Sequence, residues 1–231
     1  MYLTSCRAWL LGLIVLLAGC ATPQQSFVNL PADYFGSGKG SIGVASTALP
    51  VPDTYFPGAH CLLCLATASM TNNSMTTAVR QWPTDDLKNL KEEVAALLRA
   101  QGQTVVVINE PIKVADLPAR NAPQAGFAPK DFSSIKAPTK LDRLLVIEYR
   151  SLGAVRNYSA YVPTGAPRAT FEAHAYIVDL STHKFELYDM ISRDSLVQGN
   201  WDESPKFPGL TNAYFTAIEE GKDAIKRPFL K

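Results

Sequence analysis

Residues 170–180 alternate strictly. Phe171, Ala173, Ala175 and Ile177 fall on one face, and Glu172, His174, Tyr176 and Val178 on the other. A period of two is the mark of a β-strand. The polar stretch Ser181-Thr182-His183 interrupts it, and a second run follows over 184–191. Two such runs joined by a short polar turn predict an antiparallel β-hairpin. Whatever fold the chain adopts must contain that pair.

Other elements can be placed around it. SIGVAS at 41–46 reads as a short strand. Pro50, Pro52 and Pro57 then impose an extended loop. The apolar stretch 61–68 suits either a strand or a buried helix, and periodicity does not separate them. Polar residues fill 71–77. Over 85–100 the apolar side chains Leu87, Leu90, Val94, Leu97 and Leu98 share one helical face. Thr84 or Asp85 can cap its start, Asp85 and Asp86 suit the positive end of the helix dipole, and Gly102 stands where a left-handed C-cap belongs. The β-branched run 104–108 predicts a buried strand ending before Pro111. Residues 112–140 are rich in Pro and Ala, with a short helix near 131–135. A further apolar strand covers 144–149 and continues through 155–161, and Pro163 and Pro167 bracket a turn. The last element is a helix over 209–227, striped by Leu210, Tyr214, Ala217, Ile218 and Ile225, with Pro208 at its start and Pro228 at its end. The order predicts a single α/β domain: a mixed sheet packed by helices, with a C-terminal β-hairpin and helix.

Composition narrows the function. Apolar residues make up 47% of 231, enough for a substantial core. Charged residues are sparse and the formal charge is only +1, which argues against a nucleic-acid binder relying on a basic surface. The same balance argues against a disordered chain. The one long apolar run is N-terminal, which excludes a multi-spanning membrane protein.

That run carries an address. Arg7 is its single charge, and about 11 apolar residues follow, too few for the ~20 of a spanning helix. A basic start, an apolar middle and small residues before a cut form the layout of a secretory signal. Leu17-Ala18-Gly19-Cys20 resembles the bacterial lipobox. The resemblance implies that 1–19 are removed, that the Cys20 thiol receives a diacylglyceryl group, and that the new amine is acylated. Loss of Arg7 leaves equal numbers of basic and acidic side chains, so lipid rather than charge would hold the protein to a membrane. Ala21 and Thr22 stand where an acidic residue would imply inner-membrane retention. The resemblance therefore implies an outer-membrane anchor, with the folded part on the periplasmic face. Residues 20–40, rich in Pro, Gly, Gln and Ser, read as a lipidated flexible tether reaching roughly 65 Å, and 41–231 as the periplasmic domain. Gly36-Ser37-Gly38-Lys39-Gly40-Ser41 fails as a phosphate loop, because Asp33 stands where a glycine is needed and Gly40 follows Lys39.

The order of elements resembles periplasmic lipoproteins of the curli-secretion type and the lipoprotein activators of penicillin-binding proteins. The shared motif is the hairpin segment Ile177-Val178-Asp179-Leu180-Ser181-Thr182-His183-Lys184-Phe185, in which His183 replaces the usual turn glycine. The chain is also similar to small Gram-negative envelope lipoproteins that carry a His-Cys-x-x-Cys segment. Likeness of fold transfers no function.

With Cys6 in the signal and Cys20 consumed by lipid, Cys61 and Cys64 remain, within His60-Cys61-Leu62-Leu63-Cys64. An oxidising compartment favours a structural disulfide holding a tight turn. Leu62, Leu63 and Leu65 are apolar enough to draw that segment into the core. A redox site is the next reading, since Cys-x-x-Cys lowers a thiol pKa, most of all at a helix N-terminus. Against it, no βαβ unit precedes the pair, and Pro57-Gly58 stands there instead. Metal binding is third. His60, His174 or His183 could add imidazole, but structural zinc needs a second pair of ligands, and haem attachment needs His where Leu65 stands. No Gly-x-Ser-x-Gly elbow supports a serine nucleophile. His174 on a polar strand face and His183 in a turn read as solvated, as do the acidic pairs Asp85-Asp86, Glu92-Glu93 and Glu219-Glu220. Trp82, Tyr158, Tyr161 and Trp201 flank Pro-rich loops, where aromatics either anchor a partner or pack over a core edge.

The expectation is a non-enzymatic lipoprotein of the outer membrane, without cofactor or metal. Its domain binds or helps assemble another envelope component, or associates with itself. The alternative is a periplasmic redox or metal-handling protein built on His60, Cys61 and Cys64.

Overall fold

The computed structural model describes residues 25–36, 40–121 and 124–230. The signal segment, the lipobox and Cys20 lie outside the described residues. Strands β1 (Ser41–Ser46), β3 (Thr104–Val107), β4 (Arg143–Val155), β7 (Arg168–Asp179) and β8 (Phe185–Leu196) form one sheet in the order β3-β1-β4-β7-β8. The short β2 (Asp53–Tyr55) lies beside the far end of β4. β1 runs parallel to β3 and β4, whereas β4, β7 and β8 are antiparallel. A separate two-stranded hairpin joins β5 (Tyr158–Ser159) to β6 (Val162–Pro163). The helices are α1 (Leu62–Thr71), α2 (Asn73–Val79), α3 (Leu90–Ala100), α4 (Ser133–Thr139) and α5 (Pro208–Lys226). The fold is thus a single α/β domain with a mixed sheet, closed by the expected hairpin and helix.

Both faces of the sheet are covered. On one, Ile42, Val44, Leu145, Ile147, Phe171, Ala173, Ala175 and Ile177 pack with the apolar sides of α3 and α5. On the other, Ala45, Leu144, Val146, Tyr176, Val178 and Phe185 pack under the 112–140 segment through Ala128, Phe132 and Leu141. The strand face expected to be polar is therefore half core, because an irregular segment rather than solvent lies over it. A bulge between Tyr149 and Ser151 shifts the parity of β4, so that Tyr149 and Leu152 both join the helix-side core. Gly153 has φ +134°, and a Cβ there would overlap the Asp53 carbonyl oxygen. Only glycine lets β2 approach this closely.

Several expectations need correction. The 61–68 stretch takes the helical of its two readings, but most of its side chains are exposed rather than buried. The 85–100 segment is a 3₁₀ turn, Asp85–Leu87, followed by α3. β3 is an edge strand with alternate residues exposed rather than a buried one, because it pairs with β1 alone. β4 stops at Val155, and the chain then enters the separate hairpin. The segment read as a flexible tether is already packed over 25–36. Val28 pairs with Tyr188, and Tyr34 is buried and hydrogen-bonded to Arg143 and Glu186. Apolar side chains within it (Val28, Leu30, Tyr34 and Phe35) pack on the two cores, which a chain composed only of linker residues would not do.

Candidate functional site

Cys61 is the N-cap of α1. Its backbone is extended, and its Sγ accepts the Cys64 N–H at 2.9 Å. The two cysteines are joined as a disulfide, their Cα atoms 4.9 Å apart. The helix is seated on its Cys64 and Ala68 side, against Ala59, Tyr158 and Phe56. Beneath its C-terminal end, buried Asn72 donates from Nδ2 to the Ala68 carbonyl (2.7 Å) and the Tyr158 hydroxyl (2.6 Å). Its Oδ1 accepts from Arg156 at 2.8 Å, and that guanidinium lies 4.5 Å from the centre of the Trp201 ring. Trp201 and Tyr158 are thus structural. So is Trp82, which is buried against Tyr214.

The expectation that the leucines bury the disulfide fails. Leu62 is 85% exposed and Leu63 69%, and Leu65 is exposed as well. A helix turns about 100° per residue, so side chains one or two positions from Cys64 point away from the seated side. Cys61 is exposed, whereas Cys64 is buried. Tyr161 and Val162, on the β5–β6 hairpin, are also exposed, and the Tyr161 hydroxyl lies 3.6 Å from Cys61 Sγ. That contact sets the exposed hairpin beside the first turn of α1.

A second feature escaped the sequence. Between β4, β7, β8 and residues 114–115 and 124–132 lies a cavity of about 380 Å³. Phe127, Phe132, Tyr176, Phe185 and Tyr188 line it, with Glu148, Arg150 and His174 at the sheet and Gln25 at an edge. Its polar groups satisfy one another. Arg150 donates to Glu148 at 2.7 Å, and the Tyr176 hydroxyl donates to the other Glu148 oxygen at 3.2 Å. The Tyr188 hydroxyl lies 3.4 Å from His174 Nδ1. Burial, and then the charge of Arg150, hold the His174 imidazole below its ordinary pKa. His174 is therefore half-buried in a cavity wall, not solvated as its strand face suggested. The lining comes from widely separated parts of the chain. The one sequence signal was the aromatic and β-branched content of a face that alternation alone labels polar.

The histidines sit on separate elements. His60 is exposed before α1, His174 faces the cavity, and His183 is in the β7–β8 turn. His183 is mostly buried, with Nε2 accepting the Phe132 N–H at 3.1 Å. It takes φ +61°, the left-handed conformation that a turn glycine adopts readily. Among the described residues, no group of three or more His, Cys, Asp or Glu side chains is placed to hold a metal ion. No helix among them is long and apolar enough to cross a membrane.

No family model matches the sequence, and no curated protein matches it. Among solved structures, the chain is similar to a Xanthomonas campestris protein of family DUF330, at 12% identity over 90% of this chain and 92% of that one, with a TM-score of 0.38. It is similar to lipoprotein GNA1162 of Neisseria meningitidis at 16% identity over 78% and 96% of the two chains, TM-score 0.34. It is also similar to the PelC dodecamer of Paraburkholderia phytofirmans at 10% identity over 90% and 95%, TM-score 0.34. At such TM-scores the likenesses carry no argument about fold or function.

Proposed function

We propose that the chain is an envelope lipoprotein, anchored through Cys20 in the outer membrane. Its periplasmic domain docks another envelope protein on the surface formed by Leu62, Leu63, Leu65, Tyr161 and Val162. One observation carries this reading: Leu62 and Leu63 stand 85% and 69% exposed on a helix whose first turn a disulfide closes. Contiguous exposed apolar side chains mark interaction sites. Presenting them on a cross-linked turn reduces the ordering cost of binding. A photo-crosslinking amino acid in place of Leu63, irradiated in intact cells, tests it. We expect an adduct with a different protein that is lost when Leu62 and Tyr161 are both changed to Ser. An adduct with a second copy alone, or no adduct, refutes it.

One observation favours the redox alternative. Cys61 is exposed at a helix N-cap while Cys64 is buried, the environment in which a Cys-x-x-Cys thiol becomes reactive. Acid quenching of cells followed by differential alkylation separates the two readings. A mixed population of oxidised and reduced pairs supports redox cycling, and a uniformly oxidised pair supports a structural disulfide.

A further inference from the structure

We infer that the cavity beneath the 112–132 segment is a binding site for a fatty-acyl chain, one of those that Cys20 would carry. The inference rests on the reading of Cys20 as a lipid anchor, but the cavity argues for it independently. Its volume, about 380 Å³, falls in the range of small-ligand sites. Aromatic rings dominate the lining, and the charged groups are already committed. Arg150 is paired with Glu148, and Lys130 donates to the carbonyls of Ala115 and Leu117. A ligand entering here meets polar groups already hydrogen-bonded within the protein, so the site suits an uncharged apolar chain.

The geometry of the N-terminal segment supplies the occupant. Gln25 lines the edge of the cavity and is fixed there, its Oε1 accepting the Gly126 N–H at 2.8 Å. Three residues on, Val28 pairs with Tyr188, which is itself part of the cavity wall. Cys20 lies five positions before Gln25, and five residue steps span at most about 18 Å. The packing of 25–36 thus confines any acyl group on Cys20 to the neighbourhood of the cavity, where a free tether of twenty residues would have let it roam. Burying an acyl chain is favourable by about 0.8 kcal/mol per methylene in either a bilayer or a dry apolar cavity. The chain therefore partitions between the two.

The test uses the full-length protein made in cells fed palmitic acid with a photoreactive diazirine near its methyl end. After irradiation and digestion, mass spectrometry reads both the acylation of the Cys20 peptide and the sites of crosslinking. We expect crosslinks in the peptides holding Phe127, Phe132 and Tyr188. They should fall at least tenfold in Ala115→Trp, which fills the cavity from an exposed position with the fold checked by circular dichroism, and vanish in Cys20→Ala. An acylated Cys20 peptide with no cavity crosslinks overturns the inference while sparing the anchor. Cavity crosslinks that persist in Cys20→Ala overturn the assignment of the occupant, which is then another envelope lipid. A Cys20 peptide without acyl groups sinks the anchor itself and the inference with it.

Discussion

The guanidinium of Arg143 donates to the hydroxyl of Tyr34 across 2.9 Å, and both side chains are almost wholly buried. That hydroxyl donates onward to Glu186 at 2.6 Å, while Arg143 also reaches the Gly40 carbonyl and Gln103. The N-terminal segment, β4, β8 and the approach to β3 therefore share one polar junction. Burial, followed by the bond to Glu186, pushes the Tyr34 phenol far above its usual range and keeps it a donor. Tyr34→Phe removes a partner from both Arg143 and Glu186 and should cost about 1–3 kcal/mol. Urea unfolding reads this as a lower midpoint at unchanged slope.

Replacing both Cys61 and Cys64 with Ser should cost about 2 kcal/mol, the loop-entropy value for so short a link. If the pair is structural, the double variant keeps the Leu63 photo-adduct in cells. After reduction of the native protein, exposed Cys61 should be alkylated before Cys64, whose residue is only 3% exposed. Timed alkylation with peptide mapping gives the order.

Gly221→Ala sets two effects against each other. Alanine improves helix propensity by about 1 kcal/mol. However, the new Cβ would overlap the ring of Phe171, which is fully buried and has no room to retreat. Overpacking of this kind costs about 1–3 kcal/mol, so a net destabilisation is expected. A lower melting temperature checks it, and an unchanged or higher one would contradict the close packing of α5 on β7.

The hairpin was legible because alternation is backbone geometry and needs no partner to be seen. α3 and α5 were legible because each carries a continuous apolar stripe. The 61–68 stretch was not, since its exposure depends on α1 being seated by Cys64 and Ala68 alone. Leucines that stay in water carry no sequence mark distinguishing them from core leucines. β3 misled for the converse reason, since β-branched composition reports strand propensity and not the number of neighbours. The cavity was invisible because Gln25, Phe127 and Tyr188 converge only after the segment before β1 and the one after β3 fold back over the same strands.

His183 holds a left-handed backbone that costs a non-glycine residue about 1–2 kcal/mol. It retains the turn through the Phe132 N–H. His183→Ala loses that bond and keeps the strain, whereas His183→Gly loses the bond and relieves the strain. We expect the glycine variant to be the more stable of the two by about 1 kcal/mol. Paired chemical denaturation curves decide this.

His174 should make stability pH-dependent. Its folded pKa lies below the ordinary imidazole value of 6.5, through burial first and Arg150 second. As pH falls through about 6.5, the unfolded chain takes up a proton that the fold resists, so stability falls. Below the folded value both states are protonated, and this contribution stops changing. His174→Gln should flatten the slope of stability against pH just below neutrality, while leaving the carboxylate-driven acid transition in place.

β8 is the last strand of the sheet, and its outer edge would offer unpaired backbone groups to any strand that met it. Near its start, Val28 and Tyr188 exchange both backbone hydrogen bonds, at 3.0 and 2.9 Å. An incoming strand seeking register along β8 therefore meets a stop, and beyond it the charged side chains Asp189, Arg193 and Asp194. The N-terminal segment thus acts as a guard against aggregation by strand addition. Proteolytic loss of the chain through Val28 would bare that edge and turn the domain's flank into a template for the next molecule.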